Sequence, residues 1–165
     1  MEVDRNYIES ILEAIPQQAP FRFIDDILAL DENGITGTYR FREDEFFYQG
    51  HFPGQPVTPG VILLETMAQT GVVAYGIHAL LLSGVMTLEE IRQFVTLFTF
   101  MESVEFTGIV SPGERVIIRG EKIYFRKMNI KVSVRMEREN GESVCSGIIA
   151  GMAIKFQSHA VPSPG

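Results

Sequence analysis

The feature that most constrains the fold of this chain is a long apolar stretch from Pro59 to Leu82, interrupted by a single carboxylate, Glu65. Pro59 suits the first helical position, where no amide hydrogen is needed, and Thr58 before it is a candidate N-cap. Gly84 is typical of a helix end. A helix that is apolar nearly all round is typical of burial on every side. Its length would also span a membrane, but its polar residues and glycines favour a core helix wrapped by a sheet.

The rest of the chain predicts short strands and two short helical segments. These are a helix at 4–14, a helical turn at 87–92, and strands at 21–30, 35–41, 94–106, 114–125, 129–137 and 144–156. Asn33-Gly34 can take the positive φ of a hairpin turn. The stretch 42–59, rich in Gly, Pro and aromatic residues, predicts an irregular loop. One long helix followed by an antiparallel meander predicts an α+β fold, with a single domain over 1–156 and a flexible tail at 157–165.

Composition limits the setting and the partners. The single cysteine, Cys145, allows no intrachain disulfide, and the first residues do not resemble a signal peptide, so we expect a cytoplasmic protein. The net charge of −7 argues against nucleic acid. Three scattered histidines and one cysteine give no metal-ligand spacing, and no phosphate-binding glycine loop follows a strand. We therefore expect no metal and no cofactor.

The charge is unevenly distributed along the chain. Eight basic and two acidic residues fall between Arg115 and Arg138, so this segment carries +6 and the rest of the chain −13. Such a segment is typical either of solvated strand faces or of a docking surface for an acidic partner.

Two side chains near the start of the long helix are candidates for chemistry. His51 lies in the irregular loop, and Glu65 lies near the second turn of the apolar helix, where an unpaired carboxylate would be costly to bury. Gln69 follows Glu65 by four residues, so it shares its helix face and can hydrogen-bond it. Taken singly, Glu65 is also compatible with a buried acid satisfied in the core, and His51 with a turn histidine. His78, on the far end of the helix, is predicted to pack.

Taken together, these residues resemble a known signature. The segment 46–69, FFYQGHFPGQPVTPGVILLETMAQ, resembles that of β-hydroxyacyl-acyl carrier protein dehydratases of the FabZ type, including the fourteen-residue spacing from His51 to Glu65. Ile15-Pro16 with Pro20-Phe21 and Ile24-Asp25 resembles the N-terminal segment of that family, and 104–113 (VEFTGIVSPG) resembles its later strand and turn. The resemblance spans roughly residues 15 to 155.

The resemblance implies a hot-dog fold, paired into homodimers that can build larger assemblies. It implies dehydration of 3-hydroxyacyl chains carried by acyl carrier protein, with no metal or cofactor. His51 of one subunit is then the base and Glu65 of the other is the acid. The Gly60 amide stabilises the negative charge that develops on the thioester oxygen. The resemblance implies further substrate contacts at Phe52, Val61 and Gln69. The basic segment suggests Arg126 and Lys127 as the pair that docks the carrier protein.

Two departures and three alternatives remain open. The family usually has His-Arg-Tyr where this chain has Gln17-Gln18-Ala19, and methionine is more common at the position of Thr58. In that family the tyrosine that Ala19 replaces is associated with the mouth of the acyl-chain tunnel, so gating and chain-length preference stay open. A hot-dog thioesterase would not require the His51 loop. A hydratase of coenzyme A thioesters has its acid before its histidine, the reverse of the order here. A non-catalytic partner subunit would have no use for both His51 and Glu65.

Overall fold

The computed structural model describes residues 4–156, so the predicted tail at 157–165 lies outside the described residues. The helices are α1 (Arg5–Ala14), α2 (Gly60–Ser83) and α3 (Leu88–Ile91). The strands are β1 (Asp26–Leu30), β2 (Gly34–Arg40), β3 (Phe94–Phe106), β4 (Arg115–Arg126), β5 (Asn129–Arg138) and β6 (Ser143–Lys155). They form one antiparallel sheet in the order β1-β2-β4-β5-β6-β3. The predicted α+β class is confirmed, with most elements within one or two residues of their expected bounds. The predicted meander holds only for β4-β5-β6, because β2 pairs with β4 and β3 pairs with β6.

The long helix α2 lies against the sheet and forms the centre of the core. Its middle contacts β2, β4, β5 and β6. A Cβ atom added to Gly71 would lie 2.7 Å from the Val134 side chain, so only glycine lets the helix backbone approach the sheet this closely. By length and composition α2 is apolar enough to cross a membrane, but 78% of its most apolar window is buried within the protein. Burial under the sheet accounts for its apolar character.

The centre of α2 is not regular α-helix. Gly60–Ala68 and Tyr75–Ser83 are α-helical, and Gln69–Ala74 between them is π-helical. Such wide turns inside α-helices often mark functional sites. Here the wide turn begins at Gln69, one turn after Glu65.

Three local expectations were wrong. Residues 21–25 precede β1 instead of belonging to it, because the backbone of Phe21 and Phe23 bonds the side chain of Gln69 and not a neighbouring strand. The turn before β2 uses no positive φ at Asn33-Gly34. The Asp31 carboxylate accepts from both of these amides instead, at 2.7 and 3.0 Å.

The third wrong expectation concerns the start of α2. Pro59 is the N-cap, and Thr58 makes no capping bond. The Thr58 hydroxyl instead lies 2.7 Å from the Tyr48 hydroxyl, and the Thr58 amide donates to the Val110 carbonyl at 3.0 Å. The first amides of α2 are therefore left free of a side-chain cap.

The edge strand β3 is unusually exposed. All residues from 97 to 103 are exposed, and four of these are large apolar side chains: Leu97, Phe98, Phe100 and Met101. An edge with free backbone groups and exposed apolar side chains is suited to pairing with another strand.

Candidate active site

Backbone contacts close the loop that carries His51 on itself. The His51 amide donates to the Phe47 carbonyl at 3.1 Å, and the Val57 amide donates to the His51 carbonyl at 2.9 Å. Nδ1 of the imidazole lies 2.8 Å from the Val57 carbonyl oxygen. Because a carbonyl only accepts, this bond assigns the proton to Nδ1 and leaves the lone pair of Nε2 free. The ring is thereby held in the tautomer that a base acting through Nε2 requires.

Phe52 stacks on the catalytic candidate. The rings of His51 and Phe52 have centroids 4.1 Å apart with 26° between their planes. Phe52 is 54% exposed, and Val61 on the first turn of α2 is 72% exposed. Both side chains are therefore accessible apolar surface near the loop and the helix start.

Glu65 is half-buried, and its carboxyl is oriented by Gln69. Nε2 of Gln69 donates to Oε1 of Glu65 at 2.9 Å and to the Phe21 carbonyl at 2.9 Å, while Oε1 of Gln69 accepts from the Phe23 amide at 2.6 Å. Burial raises the pKa of Glu65, and the hydrogen bond from Gln69 partly offsets this rise. A carboxyl with a raised pKa is suited to donating a proton near neutral pH.

The hydrogen bonds that Gln69 makes within the protein bear on its predicted role as a substrate contact. The side chain is fully buried, and both ends of its amide already bond the protein. This favours a role in orienting Glu65, while the substrate contact implied by resemblance stays a prediction.

The N-terminus of α2 offers free amide groups at Gly60. The amides of Ile62 and Leu63 turn back to the Pro59 carbonyl, at 2.9 and 3.1 Å, and within residues 4–156 no acceptor is bonded to the Gly60 amide. The ring of Phe106 packs against Gly60, and a Cβ added to Gly60 would lie only 3.0 Å from that ring. A side chain at position 60 would therefore collide with Phe106. The aligned peptide dipoles favour negative charge at this end of the helix.

The two catalytic candidates are not joined within one protomer. In the part of the chain that the structure describes, no hydrogen bond links His51 to Glu65. His51 contacts its own loop, and Glu65 contacts Gln69. Across residues 4–156, no group of three or more His, Cys, Asp or Glu side chains is placed to hold a metal ion.

Most of the basic segment is neutralised by acids. Arg119 pairs with Glu137 at 2.7 Å and Arg138 with Glu114 at 2.8 Å, and longer pairs involve Arg115, Lys131 and Arg135. Arg126 and Lys127 have no carboxylate partner among the described side chains; Arg126 lies over the Tyr124 ring at 5.3 Å instead. Lys127 occupies the tip of the β4–β5 hairpin with a positive φ of 48°.

His78 packs in the core at the far end of α2. Its Nε2 lies 3.1 Å from the Asp31 carbonyl, and its Nδ1 lies 2.8 Å from the Tyr7 hydroxyl. The carbonyl requires a donor, so Nε2 carries the proton and Nδ1 accepts from Tyr7. Burial lowers the pKa of His78. His78 therefore connects α1, α2 and the β1–β2 turn.

Sequence reasoning missed three contributors to the site. These are the backbone of Phe21 and Phe23, which fixes Gln69, the ring of Phe106, and the hydroxyl of Tyr48. Phe106 lies within the segment that resembles the family, and Tyr48 within the central motif, but neither pattern indicates what the side chain touches. Those contacts depend on how distant segments pack.

Comparison with known proteins places the chain among dehydratases. The family model described as the FabA-like domain matches residues 15–148. The 3-hydroxyacyl-[acyl-carrier-protein] dehydratase FabZ of Caldicellulosiruptor saccharolyticus is 34% identical over 141 residues, which cover 85% of this chain and 93% of that protein. FabZ of Thermus thermophilus is 34% identical over 135 residues, covering 82% and 89%.

Solved structures share the fold. A chain of the dehydratase heterocomplex ApeI:P from Xenorhabdus doucetiae has a TM-score of 0.69 at 13% identity, over 90% of this chain and 91% of that one. A thioesterase from Haemophilus influenzae has a TM-score of 0.54 at 14% identity, over 82% of each chain. These likenesses, with the family match, confirm the hot-dog fold that the sequence predicted.

Proposed function

This chain belongs to the FabA-like family, and we propose that it is a 3-hydroxyacyl-[acyl-carrier-protein] dehydratase of fatty acid biosynthesis that acts through His51 and Glu65. One observation carries the assignment of residues: His51 is held with Nε2 free to accept a proton, while burial raises the pKa of Glu65 so that it can give one. Elimination of water from a 3-hydroxyacyl thioester requires both functions.

The two residues divide the reaction between them. Nε2 of His51 takes the proton from C2, which the thioester carbonyl acidifies. Glu65 gives its proton to the C3 hydroxyl, which leaves as water while the C2–C3 double bond forms. The Gly60 amide stabilises the negative charge that develops on the thioester oxygen. Exchange with solvent then returns His51 and Glu65 to their starting protonation states.

The exposed surface near these groups supports the substrate contacts. Phe52 and Val61 offer accessible apolar area beside His51 and at the start of α2. In this proposal they contact the acyl thioester, and Gln69 holds the carboxyl of Glu65 toward C3.

Two observations support a homodimer with a shared site. The edge of β3 exposes a row of apolar side chains, and His51 and Glu65 are not bonded to each other within the described protomer. Pairing through β3 would bring His51 of one protomer toward Glu65 of the other and enclose the chain between them.

The carrier-docking surface is proposed at Arg126 and Lys127. Acyl carrier proteins are acidic, and this chain carries a net charge of −7, so uniform charge would repel the two. The two cations at the β4–β5 hairpin are exposed, and no carboxylate of residues 4–156 neutralises them. They can therefore attract an acidic partner locally. A cytoplasmic setting completes the proposal.

The test is incubation of the purified protein with 3-hydroxyacyl chains on acyl carrier protein, at graded chain length. We expect the absorbance of an enoyl thioester to appear without release of free thiol. Release of thiol would instead identify a thioesterase. No reaction with any chain would favour a non-catalytic subunit.

A further inference from the structure

Two buried hydroxyl groups bracket the loop that carries His51. The Tyr48 hydroxyl lies 2.7 Å from the Thr58 hydroxyl, and the two residues are only 6% and 3% exposed. Among the described residues each of these hydroxyls bonds only the other. Burying a hydroxyl without a partner is unfavourable, so the two hydroxyls stay bonded to each other while the loop is packed.

The pair connects directly to the atom that orients His51. The peptide group between Val57 and Thr58 is bonded at both ends: its carbonyl accepts from Nδ1 of His51 at 2.8 Å, and its amide donates to the Val110 carbonyl at 3.0 Å. Thr58 thus carries the amide of the same peptide group whose carbonyl holds the imidazole. Tyr48, three residues before His51, fixes the Thr58 side chain from the other end of the loop.

We propose that the hydrogen bond between Tyr48 and Thr58 is a positioning element that keeps the Val57 carbonyl against Nδ1 of His51. It sets the tautomer of His51 and the direction of Nε2 without touching the reacting atoms. Without it, the peptide group at Val57 gains freedom and the imidazole samples both tautomers. The predicted effect on turnover rests on the proposed function; the predicted effect on the imidazole does not.

The first measurement is nitrogen NMR of the His51 ring, identified by the signal lost in His51→Gln. In the wild type the ring shows one neutral tautomer, with the proton on Nδ1. In Tyr48→Phe and in Thr58→Val we expect the two ring signals to move toward an equal mixture of tautomers. In Thr58→Ser, which keeps the hydroxyl, they should stay at the wild-type positions.

The second measurement separates positioning from simple stability. Each single variant leaves one buried hydroxyl without a partner, so each should unfold more easily. The double variant Tyr48→Phe/Thr58→Val leaves none, and its stability should recover toward the wild type. Turnover should not recover: we expect kcat to remain down by about tenfold or more, with KM within about twofold of the wild type.

The outcomes are distinct. Wild-type ring signals in Tyr48→Phe and Thr58→Val would overturn the proposal, as would full recovery of kcat with stability in the double variant. If the tautomer shifts but the wild type dehydrates no substrate, the positioning role stands and the proposed function fails. If Tyr48→Phe does not fold, the comparison of Thr58→Val with Thr58→Ser decides the question by the same signals.

Discussion

Nε2 of Gln69 lies 2.9 Å from Oε1 of Glu65, one helical turn away, so a single turn of α2 carries an acid and the group that orients it. The amide of Gln69 can face only one way, because the Phe23 amide donates to its oxygen and the Phe21 carbonyl accepts from its nitrogen. With Oε1 held, Oε2 of Glu65 is left to carry the proton. Phe21 and Phe23, which precede β1, thus orient a carboxyl on α2 through Gln69.

Removing either catalytic candidate should nearly abolish dehydration. We expect His51→Ala and Glu65→Gln each to lower kcat by about 10²–10⁴-fold, the usual range for one general acid or base. Stopped-flow measurement of the enoyl product tests this, with circular dichroism to verify the fold. A variant with near-wild-type turnover would remove that residue from the mechanism.

Mixing the two inactive variants should restore activity if the site is shared. A hybrid dimer of His51→Ala and Glu65→Gln has both substitutions at one interface site and an intact pair at the other. We therefore expect activity to appear after the subunits are allowed to exchange. Mass spectrometry should first establish that hybrids form. If the hybrids are present but show no activity, each site belongs to one subunit.

Reversing the exposed pair Arg126 and Lys127 to glutamate should raise the KM for carrier-linked substrate. The effect should be largest at low salt, since screening weakens attraction between surface charges. Turnover of a small thioester without carrier should stay unchanged. The matched control reverses Arg115 and Arg135, which change the net charge equally but already face Glu139 and Glu137. Equal effects in both double variants would indicate a general charge effect and no local docking.

The free energy of unfolding should decrease as the pH falls, because of His78. Its pKa is lowered by burial, so the unfolded chain binds the proton more readily than the folded one. The contribution of the neutral ring is complete above the ordinary value of 6.5 and declines as pH falls below it. Chemical denaturation between pH 8 and pH 5 should show a steeper loss in wild type than in His78→Gln. An equal loss in both proteins would contradict this account.

Two glycines of α2 should respond in opposite ways to alanine. A Cβ on Gly71 would lie 2.7 Å from the Val134 side chain, whereas one on Gly76 would lie 3.9 Å from Ile130, an ordinary contact. Gly71→Ala should destabilise the protein. Gly76→Ala should be neutral or stabilising by up to about 1 kcal/mol, because alanine favours the helix. Thermal unfolding of both variants compares them, and equal shifts in Tm would contradict this account of the interface.

The sequence alone determined the elements and the identity of the candidate residues. The apolar run at 59–82 and the alternating segments after it predicted a core helix and an antiparallel sheet, because these periodicities are local properties of the chain. The motif at 46–69 indicated His51 and Glu65 by residue type and spacing, and it limited the chemistry to an acid and a base.

Only the tertiary structure decided how those residues are held. The sequence predicts Thr58 as a helix cap, yet its hydroxyl pairs with Tyr48. It predicts 21–25 as strand, yet the backbone of Phe21 and Phe23 bonds Gln69. In both cases a hydrogen bond to a partner distant in sequence or across a folded loop replaces the locally preferred one. This happens because a buried polar group bonds whichever partner the packing places beside it. The tautomer of His51 and the orientation of Glu65 follow from those partners, and no local pattern encodes them.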